Sequence, residues 1–152
     1  MNRINNETKK ILTRPPEGIK VVVDETNTRH WVATIDGPPD TPYAGGKFDI
    51  DVFIPEEYPF RPPIMKFITR IFHSNINWVG QICLDTLKPE SWNASTQIAS
   101  VLLSVQQLLA SPNLDDPLND QANELFLKDR LYGTDEGFRR AQEFTRLYAT
   151  PK

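Results

Sequence analysis

The run FDIDVFI, residues 48–54, alternates apolar and polar side chains almost without a break. Phe48, Ile50, Val52 and Ile54 fall on one face, with Asp49 and Asp51 on the other. That period of two belongs to a half-buried strand, since a helix would repeat its apolar residues every three or four positions. Phe53 breaks the pattern as an aromatic ring on the polar face. Taken alone, it is either a singly exposed ring or an anchor for a partner.

The same alternation appears on either side of this run. Upstream lie Ile19, Val21 and Val23, then Trp31, Ala33 and Ile35; downstream a further strand is predicted from Ile64 to Thr69. Asn27, Gly37-Pro38-Pro39, Gly45-Gly46 and the proline-rich IPEEYPFRPP separate the runs with turn chemistry. Gaps this short suit antiparallel neighbours, because a parallel crossover needs a dozen or more residues. Helical periods flank the strands. Ile4, Ile11 and Leu12 predict a first helix with an exposed basic face, closed by Pro15-Pro16. Val101, Leu102, Val105, Leu108 and Leu109 predict a buried helix ending before Pro112. Ala122, Leu125 and Phe126 predict a third after Pro117. A fourth is predicted with Thr134 as its N-cap and Phe138, Ala141, Phe144, Leu147 and Tyr148 as its apolar residues.

Residues 72–96 show neither period, and a long irregular segment in a compact domain is usually functional when ordered. Its centre holds Cys83, the only cysteine. A thiol attacks as its thiolate, and an unperturbed cysteine with a pKa of ~8.5 is only a few per cent ionised at neutral pH. A hydrolase would pair it with a histidine. His30 lies in a remote strand, and His73, which opens the loop, sits in no protease signature and reads as a structural hydrogen-bonding residue. Asn75 offers an amide that either donates to an oxyanion or ties down its own loop. Asp85 and the Asp115-Asp116 pair supply acids nearby, Asp115 reading as plain surface. A nucleophile without a general base suits an electrophile that arrives already activated, as in transthioesterification.

Composition narrows the setting. The 152 residues fit a single domain, 1–152, large enough to bury a core without metal or disulfide. One cysteine cannot form an internal disulfide, and the first residues lack an apolar leader, so a cytoplasmic or nuclear setting is expected, with no membrane partner. The sequons at Asn6 and Asn93 then read as chance matches. A net charge of −3 argues against nucleic acid as the main partner, and one Cys with two scattered His has no metal-ligand spacing. The charge is uneven. Residues 1–20 carry five bases against two acids, whereas residues 84–124 carry six acids against Lys88 alone. These are either ordinary solvated faces or protein-binding surfaces of opposite sign.

The runs YPFRPPIMKF, FHSNINWVGQICLD and SWNASTQIASVLLSVQQLLASPNLDDPLN, with a terminal TRLYA, resemble the ubiquitin-conjugating enzymes nearly end to end. The resemblance implies an α+β fold: an N-terminal helix, a four-stranded antiparallel meander, an active-site segment and three further helices. It implies that Cys83 accepts the ubiquitin C-terminus as a thioester from the activating enzyme. Asn75 matches the motif asparagine implicated in loop structure and oxyanion stabilisation. Asp85 matches the acid two residues past the cysteine, and Asp116 the acid bordering the path of the acceptor lysine. Arg3 and Lys10 match first-helix positions that face the activating enzyme and ubiquitin ligases, while Phe60 and Ala94 match the ligase-binding loops. Phe53 matches an interface residue of a subgroup that builds chains with a catalytically inactive conjugating-enzyme-like variant. No bound cofactor is implied, ATP being used upstream by the activating enzyme.

Departures from the family pattern are local. The His-Pro-Asn motif reads His73-Ser74-Asn75, which loses proline's fixed φ. LKPESW carries one residue more than is common before Trp92, and Asn93-Ala94-Ser95 stands for Ser-Pro-Ala. Two other readings remain at this point: a non-catalytic ubiquitin-binding variant of the same fold, and a cysteine hydrolase using His73.

Overall fold

A computed structural model describes residues 2–151. Helix α1 (Asn2–Thr13) leads into strands β1 (Ile19–Asp24), β2 (Asn27–Asp36), β3 (Lys47–Phe53) and β4 (Ile64–Phe67). Helices α2 (Ile98–Ala110), α3 (Asp120–Tyr132) and α4 (Glu136–Phe144) follow, and a π-helical turn spans Thr145–Ala149. The strands pair in sequence order, β1-β2-β3-β4, all antiparallel. This is the expected meander, with β4 two residues shorter than its sequence pattern.

The alternation in 48–54 places Phe48, Ile50, Val52 and Ile54 fully inside. They meet Val101, Leu102, Val105 and Leu109 of α2 in one apolar cluster, which Ile4 and Ile11 join from α1 and Ala122 and Ala141 from α3 and α4. Burial of these side chains, ~25 cal/mol per Å² of apolar surface, is the main force holding the helices to the sheet. On the outer sheet face Phe53 is 41% exposed, in register with His30 on β2 and Ile64 on β4.

Several expected core positions lie elsewhere. Leu12 is half exposed, and it is Glu7 that joins Ile4 and Ile11 on the buried face of α1. Thr134 does not cap α4; Asp135 holds the N-cap position, and the Thr134 hydroxyl donates to Asp129 Oδ1 at 2.6 Å. Leu147 and Tyr148 are about two-fifths exposed. The wider π-helical winding after Phe144 turns Thr145 and Ala149 inward in their place. Phe138 is also partly exposed, at the first turn of α4.

Candidate active site

The segment that lacked a period is ordered by burial and by side-chain hydrogen bonds. Phe72, His73, Ser74, Asn75 and Ile76 are all buried, so the loop runs beneath the surface and must satisfy its polar groups internally. The Tyr43 hydroxyl donates to the Phe72 carbonyl at 2.6 Å. Isolated bridges pair His73 with Ile76 and Ile76 with Ile82, and Gln81 with Lys66 of β4. Gly80 makes the last approach feasible. It has a φ of +89°, and a Cβ there would lie 2.2 Å from the Phe67 carbonyl oxygen.

His73 is a pin for this loop. Its Nε2–H donates to the Leu108 carbonyl at 2.8 Å and its Nδ1 accepts the Asn75 N–H at 2.9 Å. Burial lowers its pKa to about 4, so the ring is neutral and both nitrogens are engaged away from Cys83. The hydrolase reading therefore has no base in His73.

Asn75 spends its whole amide on the segment before α3. Oδ1 accepts the Asn113 N–H at 2.8 Å, and Nδ2 donates to the carbonyls of Asn113 at 2.8 Å and Asp116 at 2.9 Å. Its backbone carbonyl accepts the Cys83 N–H at 2.8 Å. Between them, the Ser74 carbonyl accepts the N–H groups of Leu118 at 2.8 Å and Asn119 at 2.9 Å. One short stretch thus fastens the cysteine on one side and the acid-bearing loop on the other. The Ser74 hydroxyl, in contrast, is buried without a hydrogen-bond partner among the described residues.

The result is a thiol facing an acid. Cys83 is partly exposed, and its Sγ lies 3.3 Å from Asp116 Oδ2. Lys88 stands over both acids of the site, its Nζ 3.2 Å from Asp85 Oδ1 and 3.6 Å from Asp116 Oδ2. Partial burial, then the Asp116 carboxylate, pushes the Cys83 thiol above its ordinary value, and Lys88 offsets this only in part. Cys83 is thus held as a thiol rather than a poised thiolate. A groove of about 420 Å³ begins at the preceding residue, lined by Ile82, Leu87 and Pro89 together with Pro62, Pro63 and Met65, and Cys83 itself is not part of its lining.

A family model described as "Ubiquitin-conjugating enzyme" matches residues 3–135.

The chain belongs to the ubiquitin-conjugating enzyme family.

Among its relatives, "Ubiquitin-conjugating enzyme E2 N" of Drosophila melanogaster is 42% identical over 147 residues, 97% of this chain and 94% of the relative. "Ubiquitin-conjugating enzyme E2 13" of Saccharomyces cerevisiae is 41% identical over 151 residues, 99% of this chain and 95% of the relative. A solved structure, the E2 domain of a Toxoplasma gondii ubiquitin conjugating enzyme, superposes with a TM-score of 0.87 at 34% identity, covering 98% of each chain. The protein is accordingly a ubiquitin transferase of the conjugating class, and the architecture expected of that family is the one observed. Among the described residues no cluster of three or more His, Cys, Asp or Glu could hold a metal ion.

The remaining sequence candidates lie at separate places on this frame. Asp85 is largely exposed at the start of a short 3-10 turn, Asp85–Leu87, two residues past the thiol. Lys10 is exposed on α1, whereas Arg3 is part-buried and turned toward the 92–97 loop. Phe60 is 83% exposed at the tip of the β3–β4 loop, and Ala94 is half-buried in the loop before α2. Sequence reading counted Lys88 only as a lone base and missed Asn113 and Asn119 altogether. Asn119 had a usable signal, an asparagine placed just after Pro117-Leu118 and before a helical run. It caps α3 by accepting the Ala122 N–H at 3.1 Å, and its amide reaches the Ile76 carbonyl at 3.4 Å. Asn113 had none, because it acts on Asn75, 38 residues away, and the Lys88 contact with Asp116 was hidden in the same way.

Proposed function

We propose that Cys83 takes the C-terminal carbonyl of ubiquitin from the activating enzyme's thioester and passes it to a lysine amine oriented by Asp116. The observation that carries this reading is the 3.3 Å approach of Cys83 Sγ to Asp116 Oδ2 on a loop whose backbone is fixed by Asn75 and His73. In the first step the Sγ–C bond forms and the activating enzyme's S–C bond breaks. The thiol proton leaves through Asp116 or solvent and ends on the departing sulfur. In the second step an N–C bond forms, the Sγ–C bond breaks, and a proton of the amine follows the same route to Cys83. The attacking species is the thiolate, so the raised pKa of Cys83 limits the fraction that reacts at neutral pH, and the step relies on a carbonyl that arrives already activated as a thioester.

The acceptor lysine must arrive neutral, although its ordinary pKa is near ~10.4. A carboxylate alone would raise that value, so Asp116 serves to aim the amine, and desolvation at the mouth of the site favours the neutral form. Asp85 and Lys88 form the rim beside it. Asn75 acts in this scheme by holding the loop, its amide hydrogens being bound to two carbonyls. The docking partners are the activating enzyme and ubiquitin ligases, met by Lys10 on α1 and by Phe60 and Ala94 on the adjoining loops, with Arg3 bonded from α1 to the loop that carries Ala94. Phe53, exposed on the outer sheet face, is the seat for an inactive conjugating-enzyme-like variant with which chains are built.

Incubation with activating enzyme, ubiquitin and ATP tests the reading. The expected product is an adduct that thiol reductant removes and that Cys83→Ala does not form. No adduct on this chain, under conditions that charge a control conjugating enzyme, would overturn it. Binding of a variant partner that is undiminished by Phe53→Ala would overturn the chain-building part alone.

A further inference from the structure

Glu7 is an acid on the inner face of α1, only 8% exposed, and both of its carboxylate oxygens are engaged. Oε1 accepts the N–H of Ile98, the first residue of α2, at 2.8 Å. Oε2 accepts Arg3 Nε at 3.0 Å and the Tyr58 hydroxyl at 2.7 Å. Arg3 carries the connection onward, Nη1 donating to the Ala94 carbonyl and Nη2 to the Thr96 carbonyl at 2.6 Å. Its guanidinium carbon lies 5.4 Å from the centre of the Tyr58 ring. Trp92 completes the circuit by donating Nε1–H to the Pro59 carbonyl at 2.7 Å.

A buried carboxylate costs several kcal/mol unless fully paired. Capping α2 accounts for one of its bonds, a cap that the Gln97 side chain does not supply. The others lead to Tyr58 in the β3–β4 loop and, through Arg3, to Ala94 and Thr96 in the loop before α2. Those are the two loops that project Phe60 and Ala94. The planar guanidinium reaches two carbonyls and a carboxylate together, a span that the single ammonium of lysine cannot reproduce.

We propose that Glu7 and Arg3 form a clasp that fixes the separation of the loops carrying Phe60 and Ala94, so that Arg3 is a positioning residue for ligase recognition. The inference rests on the reading of those loops as the ligase-binding surface. A ligase then meets a preformed pair of loops and avoids the cost of ordering them on binding.

The test charges the full chain with ubiquitin, removes ATP, and follows discharge onto free lysine against increasing amounts of an isolated RING-type ligase domain, one already seen to accelerate the wild-type chain. Glu7→Gln keeps the shape but turns an amide N–H toward the donors of Arg3 and Tyr58. It is expected to leave discharge without the RING domain unchanged. The RING concentration giving half-maximal acceleration rises about tenfold, with the saturating rate preserved. Tyr58→Phe removes a single bond and is expected to raise that concentration about threefold, a readout that stands even if Glu7→Gln fails to fold. Arg3→Lys is expected to match Glu7→Gln, and the double variant to shift no further than the larger single one.

If Arg3 instead touches the ligase directly, Glu7→Gln and Tyr58→Phe leave the half-maximal concentration at the wild-type value, or the Arg3 and Glu7 effects multiply. Either result overturns the clasp while leaving the ligase-loop reading intact, provided Phe60→Ala still weakens the response. A Phe60→Ala chain that responds like wild type overturns the loop reading and the clasp with it.

Discussion

Asn75 and Asn113 are joined twice, the Asn113 N–H donating to Asn75 Oδ1 and Asn75 Nδ2 donating to the Asn113 carbonyl, both at 2.8 Å. The pairing fixes which end of the Asn75 amide is oxygen, and leaves its second N–H for the Asp116 carbonyl. Asn75→Asp keeps the acceptor but sets a second oxygen against two carbonyls. A loss of about 2–3 kcal/mol is expected, read as a Tm lower by roughly 5–10 °C. Discharge to lysine should fall more than charging does, because the bonds lost are those that hold Asp116. A variant with wild-type Tm and discharge would show that the network is dispensable.

The thiol of Cys83 should titrate above an ordinary cysteine, because burial and then Asp116 disfavour its thiolate. Rates of alkylation by iodoacetamide against pH are therefore expected to have a midpoint above ~8.5. Asp116→Asn should lower that midpoint and Lys88→Met should raise it, since Lys88 is the cation that favours the thiolate. Shifts in the opposite directions would refute the assigned electrostatics.

Asp116→Ala should separate the two half-reactions. Charging is expected within about twofold of wild type, and discharge onto free lysine slower by at least ~10-fold, since misplacing a reacting group by about 1 Å costs up to ~100-fold. Single-turnover measurements of each step distinguish them, and full-rate discharge would remove Asp116 from the reaction.

Removing the hydroxyl of Ser74 should stabilise the protein. The Oγ is buried with no partner among the described residues, which leaves its desolvation uncompensated by them. Ser74→Ala is expected to raise stability by about 1 kcal/mol, a Tm gain of roughly 2–4 °C. A lower Tm would mean that the hydroxyl has a partner after all.

The two histidines should respond to pH with opposite sign. His30 lies between Asp51 and Asp24 Oδ2, 3.1 Å from the latter, and these partners, Asp51 first, raise its pKa. Its contribution to stability is complete below ~6.5, the unfolded value, and is lost as pH rises through the folded pKa. His73 is buried and neutral with a pKa of about 4. Its contribution is complete above ~6.5 and is lost as pH falls toward 4. NMR titration of the ring protons is expected to place the two midpoints on either side of ~6.5. Midpoints on the same side would contradict the environments described here.

The strands were legible because each has one face in the core, so that Phe48, Ile50 and Val52 write their period into the chain. Cys83 was legible through its isolation and its motif neighbours. The end of the chain misled, because apolar spacing assumes 3.6 residues per turn and the π-helical turn at Thr145–Ala149 departs from it. Glu7 was counted as a surface charge, since nothing near it in sequence announces that Ile98 and Tyr58 will surround it. Lys88 was equally silent. Its two carboxylates lie 3 and 28 residues away, and only the folded loops make them neighbours.

The Ser74 carbonyl, shared by the N–H groups of Leu118 and Asn119, has a consequence for how a substitution spreads through the site. Cys83 and the Asp116 backbone are both bonded to one three-residue hub, His73-Ser74-Asn75, so displacing that hub would shift both. A substitution in the hub would therefore reach the thiol and the carboxylate together, with neither residue itself changed.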